Sequence, residues 1–147
     1  HGNGTQEIFY ARRDVYTASI HGTPYNSYPH FAGFVDERGE GEGKGFNKNY
    51  PLPRGVTTER YLEVLEDALK HVRRFAPKWF VVSLGHDIMS GDPTGSFLLD
   101  AAGMRSIGEM IGRMGLPTLV VQEGGYSVWN LRQGAQAFFT GLTSTYY

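Results

Sequence analysis

An apolar run from Trp79 to Leu84, followed by Gly85, His86 and Asp87, limits the folds that this chain can adopt. Helix-like patterns lie on both sides of the run, and a short apolar run in that setting is typical of a strand buried in a parallel sheet. In open α/β sheets, ligands bind beyond the carboxyl ends of the strands. The position of His86 and Asp87 therefore indicates either a metal or acid/base site, or a loop whose polar side chains only cap and solvate the chain.

Strand and helix patterns alternate along the sequence and predict an α/β fold with a mainly parallel sheet and helices on both faces, that is, three α/β/α layers. The predicted strands are Val15–Ile20, Trp79–Leu84 and Pro117–Val121, and the predicted helices are a short turn at Gln6–Arg12, a helix from Thr57 to Pro77, one from Asp100 to Gly115 and one from about Val128 to Gly141. Three strands make a thin sheet, so we expect part of a larger sheet and a partial domain.

Two helical stripes predict core positions. Tyr61, Leu65, Ala68, Leu69 and Val72 fall on one face of the first long helix, and Met104, Ile107, Ile111 and Met114 form one stripe of the second. By contrast, residues 22–55 are rich in Gly, Pro and aromatic residues and show no sustained period. We therefore predict a long loop there, of the functional or disordered kind.

Composition limits the classes of partner and of metal site. The 147 residues suit one domain, 1–147, and the net charge of −1 gives no reason to expect a nucleic-acid partner. No apolar run is long enough to span a membrane. With no Cys, any metal must bind His, Asp, Glu or carbonyl oxygens.

Polar or glycine residues follow each predicted strand, and we expect the three strand ends to lie side by side. Asp87 is a candidate metal ligand or general base, whereas Asp92, which precedes Pro93, is interpreted as fixing a turn. Gly124 and Gly125 allow the backbone to approach a ligand closely. Tyr126 follows them and is either a donor to a developing oxyanion or an aromatic that packs under the last helix.

Four motifs in order carry a resemblance to the C-terminal half of the histone deacetylase superfamily, with its arginase/deacetylase-like fold. They are His1-Gly2-Asn3-Gly4-Thr5-Gln6-Glu7-Ile8-Phe9-Tyr10, Ser19-Ile20-His21, Leu84-Gly85-His86-Asp87 with Gly91-Asp92-Pro93, and Glu123-Gly124-Gly125-Tyr126. The stretch from Tyr28-Pro29 through Asp36–Gly41 and Gly45-Phe46-Asn47 to Pro51-Leu52-Pro53 is most similar to bacterial acetylpolyamine amidohydrolases.

This resemblance implies a zinc-dependent amide hydrolase, in which two Asp and one His hold the metal. Asp87 matches the second Asp ligand and Tyr126 the oxyanion donor, while Phe31 matches an aromatic wall of the substrate tunnel. Gly124 and Gly125 are the other predicted substrate-binding residues. The resemblance also implies structural monovalent cations, potassium or sodium. Their matching ligands are Ser19 with the carbonyl of Ile20 at one site, and the carbonyls of Phe9, Arg12, Val15 and Phe46 at the other.

The remaining ligands of such a site would precede the first residue of this chain. In the family, the first Asp and the His ligand lie in an Asp-x-His-His-Gly motif, and His1 matches the second His of that motif. The tandem His pair that handles protons belongs to the same missing half. His86 occupies a position that is commonly apolar or small, and either His86 or the free amine of His1 is a possible additional metal ligand.

The resemblance predicts removal of acetyl groups from acetylated polyamines or similar small amines, with this chain as the C-terminal portion of the enzyme. Two alternatives stay open: a deacetylase of acetyl-lysine in proteins, and a non-catalytic, truncated deacetylase-like protein. We expect a cytoplasmic protein without nucleic-acid or membrane partners. The thin sheet predicts that its edge is covered by a second copy of the chain or by the missing N-terminal half.

Overall fold

A computed structural model describes residues 1–144 of the chain, which divide into two compact units, one over His1–Arg54 and one that begins at Gly55. The first unit, called unit 1, contains helix α1 (Asn3–Phe9), strand β1 (Thr17–Gly22), a short 3₁₀ turn (Gly41–Gly43) and strand β2 (Asn47–Leu52). The second, called unit 2, contains α2 (Thr58–Phe75), β3 (Phe80–Leu84), α3 (Ala101–Gly112), β4 (Thr118–Gln122) and α4 (Val128–Thr143). No helix within the described residues is long and apolar enough to cross a membrane.

Strand β2 corrects the prediction of an aperiodic loop over residues 22–55. It runs parallel to β1 in a register that pairs Thr17 with Asn47 and Gly22 with Leu52. The buried positions of β2 include Asn47 and Asn49, so its inner face is polar for most of its length. Because strand prediction relies on apolar residues at alternate positions, this strand carries no recognisable pattern.

A buried network of side-chain hydrogen bonds joins β2 to α1 and to the loop before the 3₁₀ turn. The Asn49 amide donates to the Gln6 side-chain oxygen (2.8 Å), to the Phe34 carbonyl (3.1 Å) and to the Glu37 carboxylate (3.2 Å). The Asn47 amide donates to the same Gln6 oxygen (3.0 Å) and to the Glu37 carbonyl (2.7 Å). Buried amides need such partners, so the network holds the 31–37 loop against the strand.

Unit 2 contains the helices and strands that the sequence predicts, to within a few residues. Strands β3 and β4 run parallel, and the register pairs Phe80 with Thr118 and Leu84 with Gln122. All five residues predicted for the inner face of α2 are buried, as are three of the four in α3: Tyr61, Leu65, Ala68, Leu69, Val72, Met104, Ile107 and Ile111. Met114 is only half-buried, because α3 has already ended at Gly112.

The core of unit 2 depends on close packing of α3 against α4. Phe138 and Met104 have no exposed surface. At Gly108 of α3, an added Cβ would overlap with the carbonyl oxygen of Phe138, and at Gly141 of α4 it would overlap with that of Arg105. The two backbones therefore approach closely enough that only glycine fits at these positions.

The α/β class with parallel strands is confirmed, and the set of strands differs from the prediction by β2, which the sequence did not indicate. The strands of the described residues form two pairs, β1 with β2 and β3 with β4. Strand β1 pairs with the strand that the sequence did not reveal. The single domain over residues 1–147 stays a prediction.

Candidate functional site

The carboxyl ends of β3 and β4 meet, as the sequence predicts for neighbouring parallel strands. The Glu123 amide donates to the Leu84 carbonyl (2.9 Å), and the His86 amide donates to the Gly124 carbonyl (2.7 Å). Pairing therefore continues two residues beyond the strands. It brings the segment that contains Asp87 against the segment that contains Gly124, Gly125 and Tyr126.

The Asp87 carboxylate lies in a notch between two glycines. A Cβ at Gly85 would lie 2.6 Å from Oδ1 of Asp87, and one at Gly124 would overlap with Oδ2. Burial, together with the negative charge of Asp92, raises the pKa of Asp87 above its ordinary value. A nearby cation would stabilise the charged form of a carboxylate in this environment.

Tyr126 comes directly after Gly125 in the sequence, and 62% of the residue is exposed. Gly125 has a φ of 141°, and a Cβ there would lie 2.8 Å from a methyl of Leu131 and 3.0 Å from Cβ of His86. Only glycine combines that backbone conformation with that space. Ser127 then begins α4 as its N-cap, with its hydroxyl accepting from the Asn130 amide (3.3 Å).

Asp92 fixes a turn, as predicted, and also reaches the loop that contains Tyr126. Its Oδ1 accepts from the amide and hydroxyl of Thr94 (2.9 and 3.0 Å) and from the Gly95 amide (3.2 Å). Its Oδ2 accepts from the amides of Tyr126 (2.7 Å) and Ser127 (3.2 Å). Burial acts to raise the pKa of Asp92, but these hydrogen bonds outweigh it and hold that pKa below its ordinary value.

His86 is buried between β3 and α4. Only 2% of the residue is exposed, and its Nδ1 has no hydrogen-bond partner within the described residues. A Cβ at Gly134 of α4 would lie 2.7 Å from that nitrogen and 2.5 Å from the Met89 sulfur, so the ring fills space against the helix. Burial lowers the pKa of His86. Its proposed role as a metal ligand stays a prediction.

The residues at these strand ends fit one position of a zinc site. Catalytic zinc has three protein ligands, drawn from His, Cys, Asp and Glu, and an open position. Within residues 1–144, no group of three such side chains is arranged to hold a metal ion. Asp87 supplies a suitable oxygen ligand in its glycine-lined notch, so two ligands are missing from the set.

Unit 1 contains the candidate residues Ser19 and His21. Nε2 of His21 lies 2.9 Å from the Gly33 carbonyl, which can only accept, so this nitrogen carries the proton. Nδ1 then accepts from the Ser19 hydroxyl (2.7 Å). Burial lowers the pKa of His21 to about 4. His1 is, like His86, a predicted additional metal ligand. The centre of its ring lies 4.1 Å from the centre of the His21 ring.

The predicted ligands of monovalent cations surround the start of β1. The Phe9 carbonyl accepts from the Arg12 amide (3.0 Å), and the Phe46 carbonyl accepts from the Thr17 amide (2.9 Å). Val15 lies in the segment between α1 and β1, and Ile20 lies within β1 opposite Tyr50. Each carbonyl oxygen has a second lone pair, so these contacts are compatible with cation binding. The cation sites stay predictions.

Phe31, the predicted tunnel residue, is 72% exposed. It borders a recess of about 290 Å³ in unit 1, together with Glu7, Tyr10 and Glu40 among others. The recess combines an aromatic face with carboxylates, an environment that suits an aliphatic chain with a positive charge. The contribution of Phe31 to substrate binding stays a prediction.

The fold agrees with what comparison with known proteins shows. The chain belongs to the family defined by the histone deacetylase domain, whose model matches residues 1–142. Within that family it is similar to acetylpolyamine amidohydrolases. That of Burkholderia pseudomallei is 50% identical over 142 residues, which cover 97% of this chain and 42% of the relative.

A solved structure supports the same relationship. The crystal structure of the acetylpolyamine aminohydrolase from Burkholderia pseudomallei matches 99% of this chain with a TM-score of 0.96 and 49% identity, and the match covers 42% of that protein. Histone deacetylase 1 of Homo sapiens is 34% identical over 132 residues, 89% of this chain and 27% of that protein. The chain thus spans less than half the length of these relatives.

Proposed function

We propose that this chain supplies part of the active site of a zinc-dependent acetylpolyamine amidohydrolase. The observation that carries the proposal is the notch at the ends of β3 and β4, where Asp87 adjoins Gly124, Gly125 and Tyr126. The same residues form the motifs through which the chain resembles this family. The 50% identity to an acetylpolyamine amidohydrolase supports a related substrate class.

The reaction is hydrolysis of an N-acetyl amide by water to acetate and a free amine. Zinc, when bound, would activate the water and polarise the acetyl carbonyl. Asp87 would contribute one carboxylate ligand, and a bound cation would favour the charged form of that carboxylate. The Tyr126 hydroxyl donates a hydrogen bond to the oxyanion that forms when water adds to the carbonyl carbon.

The other ligands, and the His pair that transfers protons, are proposed to lie outside these 147 residues. A single carboxylate cannot hold zinc in the geometry that catalysis needs, and acid/base groups contribute a large factor of their own. The isolated chain is therefore expected not to hydrolyse amides. For the chain on its own, the alternative of a non-catalytic, truncated deacetylase-like protein stays open. Potassium or sodium at Ser19, Ile20, Phe9, Arg12, Val15 and Phe46 would be structural.

A small acetylated amine is the proposed substrate, with acetyl-lysine in a protein as the alternative. The higher identity to the amidohydrolase than to histone deacetylase 1 favours the small amine. Within unit 1, the recess that Phe31 borders contains the carboxylates of Glu7 and Glu40, whose charge suits an amine. Location in the cytoplasm and self-association stay predictions.

A chimera tests the proposed activity. Residues 1–142 of this chain would replace the matching part of the Burkholderia pseudomallei amidohydrolase, whose structure they match closely. Turnover of an N-acetylated polyamine is expected, with little turnover of an acetyl-lysine peptide. Asp87→Ala should abolish it, and Tyr126→Phe should lower kcat about 100-fold, as for loss of one oxyanion donor.

The matched control is Tyr25→Phe, the same change at an exposed tyrosine of unit 1. It should leave kcat within about twofold of the parent, the spread expected of a surface substitution. A chimera that is equally active with Asp87→Ala would contradict the proposal. So would tight one-to-one zinc binding by the isolated chain in calorimetry, because it would show that the ligand set is complete within the chain.

A further inference from the structure

We propose that Asp92 is a positioning residue for Tyr126, which it holds through the backbone amides of Tyr126 and Ser127. The inference rests on the proposed function, because it concerns the orientation of the tyrosine that donates to the oxyanion. Asp92 itself touches neither substrate nor metal in this proposal. It acts through the backbone of the residue that does.

The two oxygens of Asp92 have separate tasks. Oδ1 is held by three donors in the turn that follows it, from Thr94 and Gly95. Because those contacts fix the plane of the carboxylate, they fix the position of Oδ2 independently of the loop that contains Tyr126. Oδ2 then accepts from Tyr126 at 2.7 Å, a distance typical of a charge-assisted hydrogen bond, across 34 residues of sequence.

The loop that contains Tyr126 needs such an anchor. Residues 123–127 belong to neither β4 nor α4, and Gly124 and Gly125 give their backbone wide conformational freedom. The Tyr126 side chain is mostly exposed, so packing does little to orient it. Its direction therefore depends on the backbone dihedrals of residue 126, which the bond from its amide to Asp92 restricts.

A second contact connects the same two segments. The side-chain amide of Asn130 donates to the Ser90 carbonyl (3.1 Å), and Asn130 lies in the first turn of α4, which Ser127 caps. Asp92 and Asn130 thus hold the 90–95 turn against the start of the helix at two points. Residues 126 and 127 lie within this braced region, so a change at Asp92 is expected to act locally.

Substitutions in the 147-residue chain separate positioning from simple turn stability. Asp92→Asn retains one oxygen that can accept from Thr94 and Gly95, but it turns an NH₂ group toward the Tyr126 amide. Thr94→Val is the matched control, since it removes a donor to Oδ1 and leaves Oδ2 charged. In ¹⁵N-resolved NMR spectra, the amide protons of Tyr126 and Ser127 should move upfield in Asp92→Asn and exchange with solvent about tenfold faster or more. In Thr94→Val both should stay close to the parent.

Several results would overturn the proposal. One is unchanged exchange of the Tyr126 amide in a folded Asp92→Asn variant, and another is an equal response to Thr94→Val. The unmodified chain supplies a third measurement that does not depend on a variant folding: its Tyr126 amide must be protected and shifted downfield, and exchange at the rate of an unstructured amide would be decisive against Asp92.

Kinetics of the chimera distinguish failure of this inference from failure of the proposed function. Asp92→Asn should lower kcat about tenfold or more and leave KM within about twofold, the division expected when only transition-state contacts are lost. A change confined to KM would overturn the positioning role. If Tyr126→Phe has no effect on kcat, the proposed function fails, while the NMR result still decides whether Asp92 holds the loop.

Discussion

Units 1 and 2 are stabilised by different kinds of interaction. Among the described residues, the core of unit 2 contains apolar side chains without exposed surface, such as Leu99, Met104 and Phe138. In unit 1, the buried side chains include Leu52 and the rings of Pro24 and Pro29, beside the polar His21, Asn47 and Asn49. The hydrophobic effect is non-directional, whereas a buried amide must meet particular partners. We therefore expect the stability of unit 1 to depend more on the chemical identity of its buried side chains, and the stability of unit 2 to depend more on their volume.

The largest expected effect is loss of volume in unit 2. Phe138→Ala removes a ring with no exposed surface from the contact between α3 and α4. The change should lower the free energy of unfolding by about 3–5 kcal/mol, from lost burial plus a cavity. Urea titration followed by circular dichroism measures it. Phe139→Ala, at the neighbouring residue with 46% exposure, is the control and should cost clearly less. Equal losses would show that buried volume does not control the stability of unit 2.

The next effect is a change of chemistry without a change of volume in unit 1. Asn49→Asp replaces a donor by a charged acceptor that faces the oxygens of Gln6, Phe34 and Glu37. Stability should fall by about 3 kcal/mol, because each of those acceptors loses one of its donors and a charge is buried beside a carboxylate. Amide exchange in β1 and β2 reports this. The exposed Asn26 offers the same substitution as a control, and exchange there should stay near the parent rate.

The protonation of His21 gives unit 1 a pH dependence. Its pKa is about 4 in the folded chain against an ordinary 6.5, so between these values the unfolded chain binds more protons. The contribution of His21 to stability is complete above pH 6.5 and should be lost as pH falls toward 4, on the order of 2–3 kcal/mol. Amide exchange of β1 at a series of pH values, corrected for intrinsic rates, measures it. His21→Gln should flatten the dependence of stability on pH. If the slope stays the same in this variant, the pH dependence arises from other groups.

The smallest effect concerns the helix caps, which also differ between the units. Helix α3 begins at the N-cap Asp100, whose carboxylate accepts from the Gly103 amide (2.8 Å), whereas α1 begins at Gly2 without a side-chain cap. Asp100→Ala should cost about 1 kcal/mol in urea unfolding. Asp100→Asn keeps an oxygen at the same place and should cost little. If Asp100→Ala leaves the free energy of unfolding unchanged, packing alone stabilises the start of α3.

The comparison also explains which parts of the fold could be predicted. In unit 2, apolar residues at helical spacing and short apolar runs predicted α2, α3, α4, β3 and β4, because burial there follows the period of each element. In unit 1, β2 was missed since its buried positions hold asparagine. Prediction of the fold thus succeeded where local pattern and burial agree, and failed where long-range hydrogen bonds replace apolar contact.

The candidate site divides in the same way. Strand ends with polar or glycine residues indicated Asp87, Gly124, Gly125 and Tyr126, and β3 and β4 do bring these segments together. The contact of Asp92 with the Tyr126 amide had no local signal, because an aspartate before proline is an ordinary turn residue. Nor did the sequence show that the buried ring of His86 lies against Gly134.

The α/β class, the helices and strands of unit 2 and the residues at the ends of β3 and β4 can be predicted from the amino-acid sequence, because each depends on periodicity or on neighbours along the chain. The pairing of β1 with β2, the notch around the Asp87 carboxylate and the hydrogen bonds from the loop of Tyr126 to Asp92 arise only in the folded chain. These depend on contacts between segments about 30 or more residues apart. A hydrogen bond across such a distance is specified by the folded backbone, which places donor and acceptor together, and by no pattern within either segment.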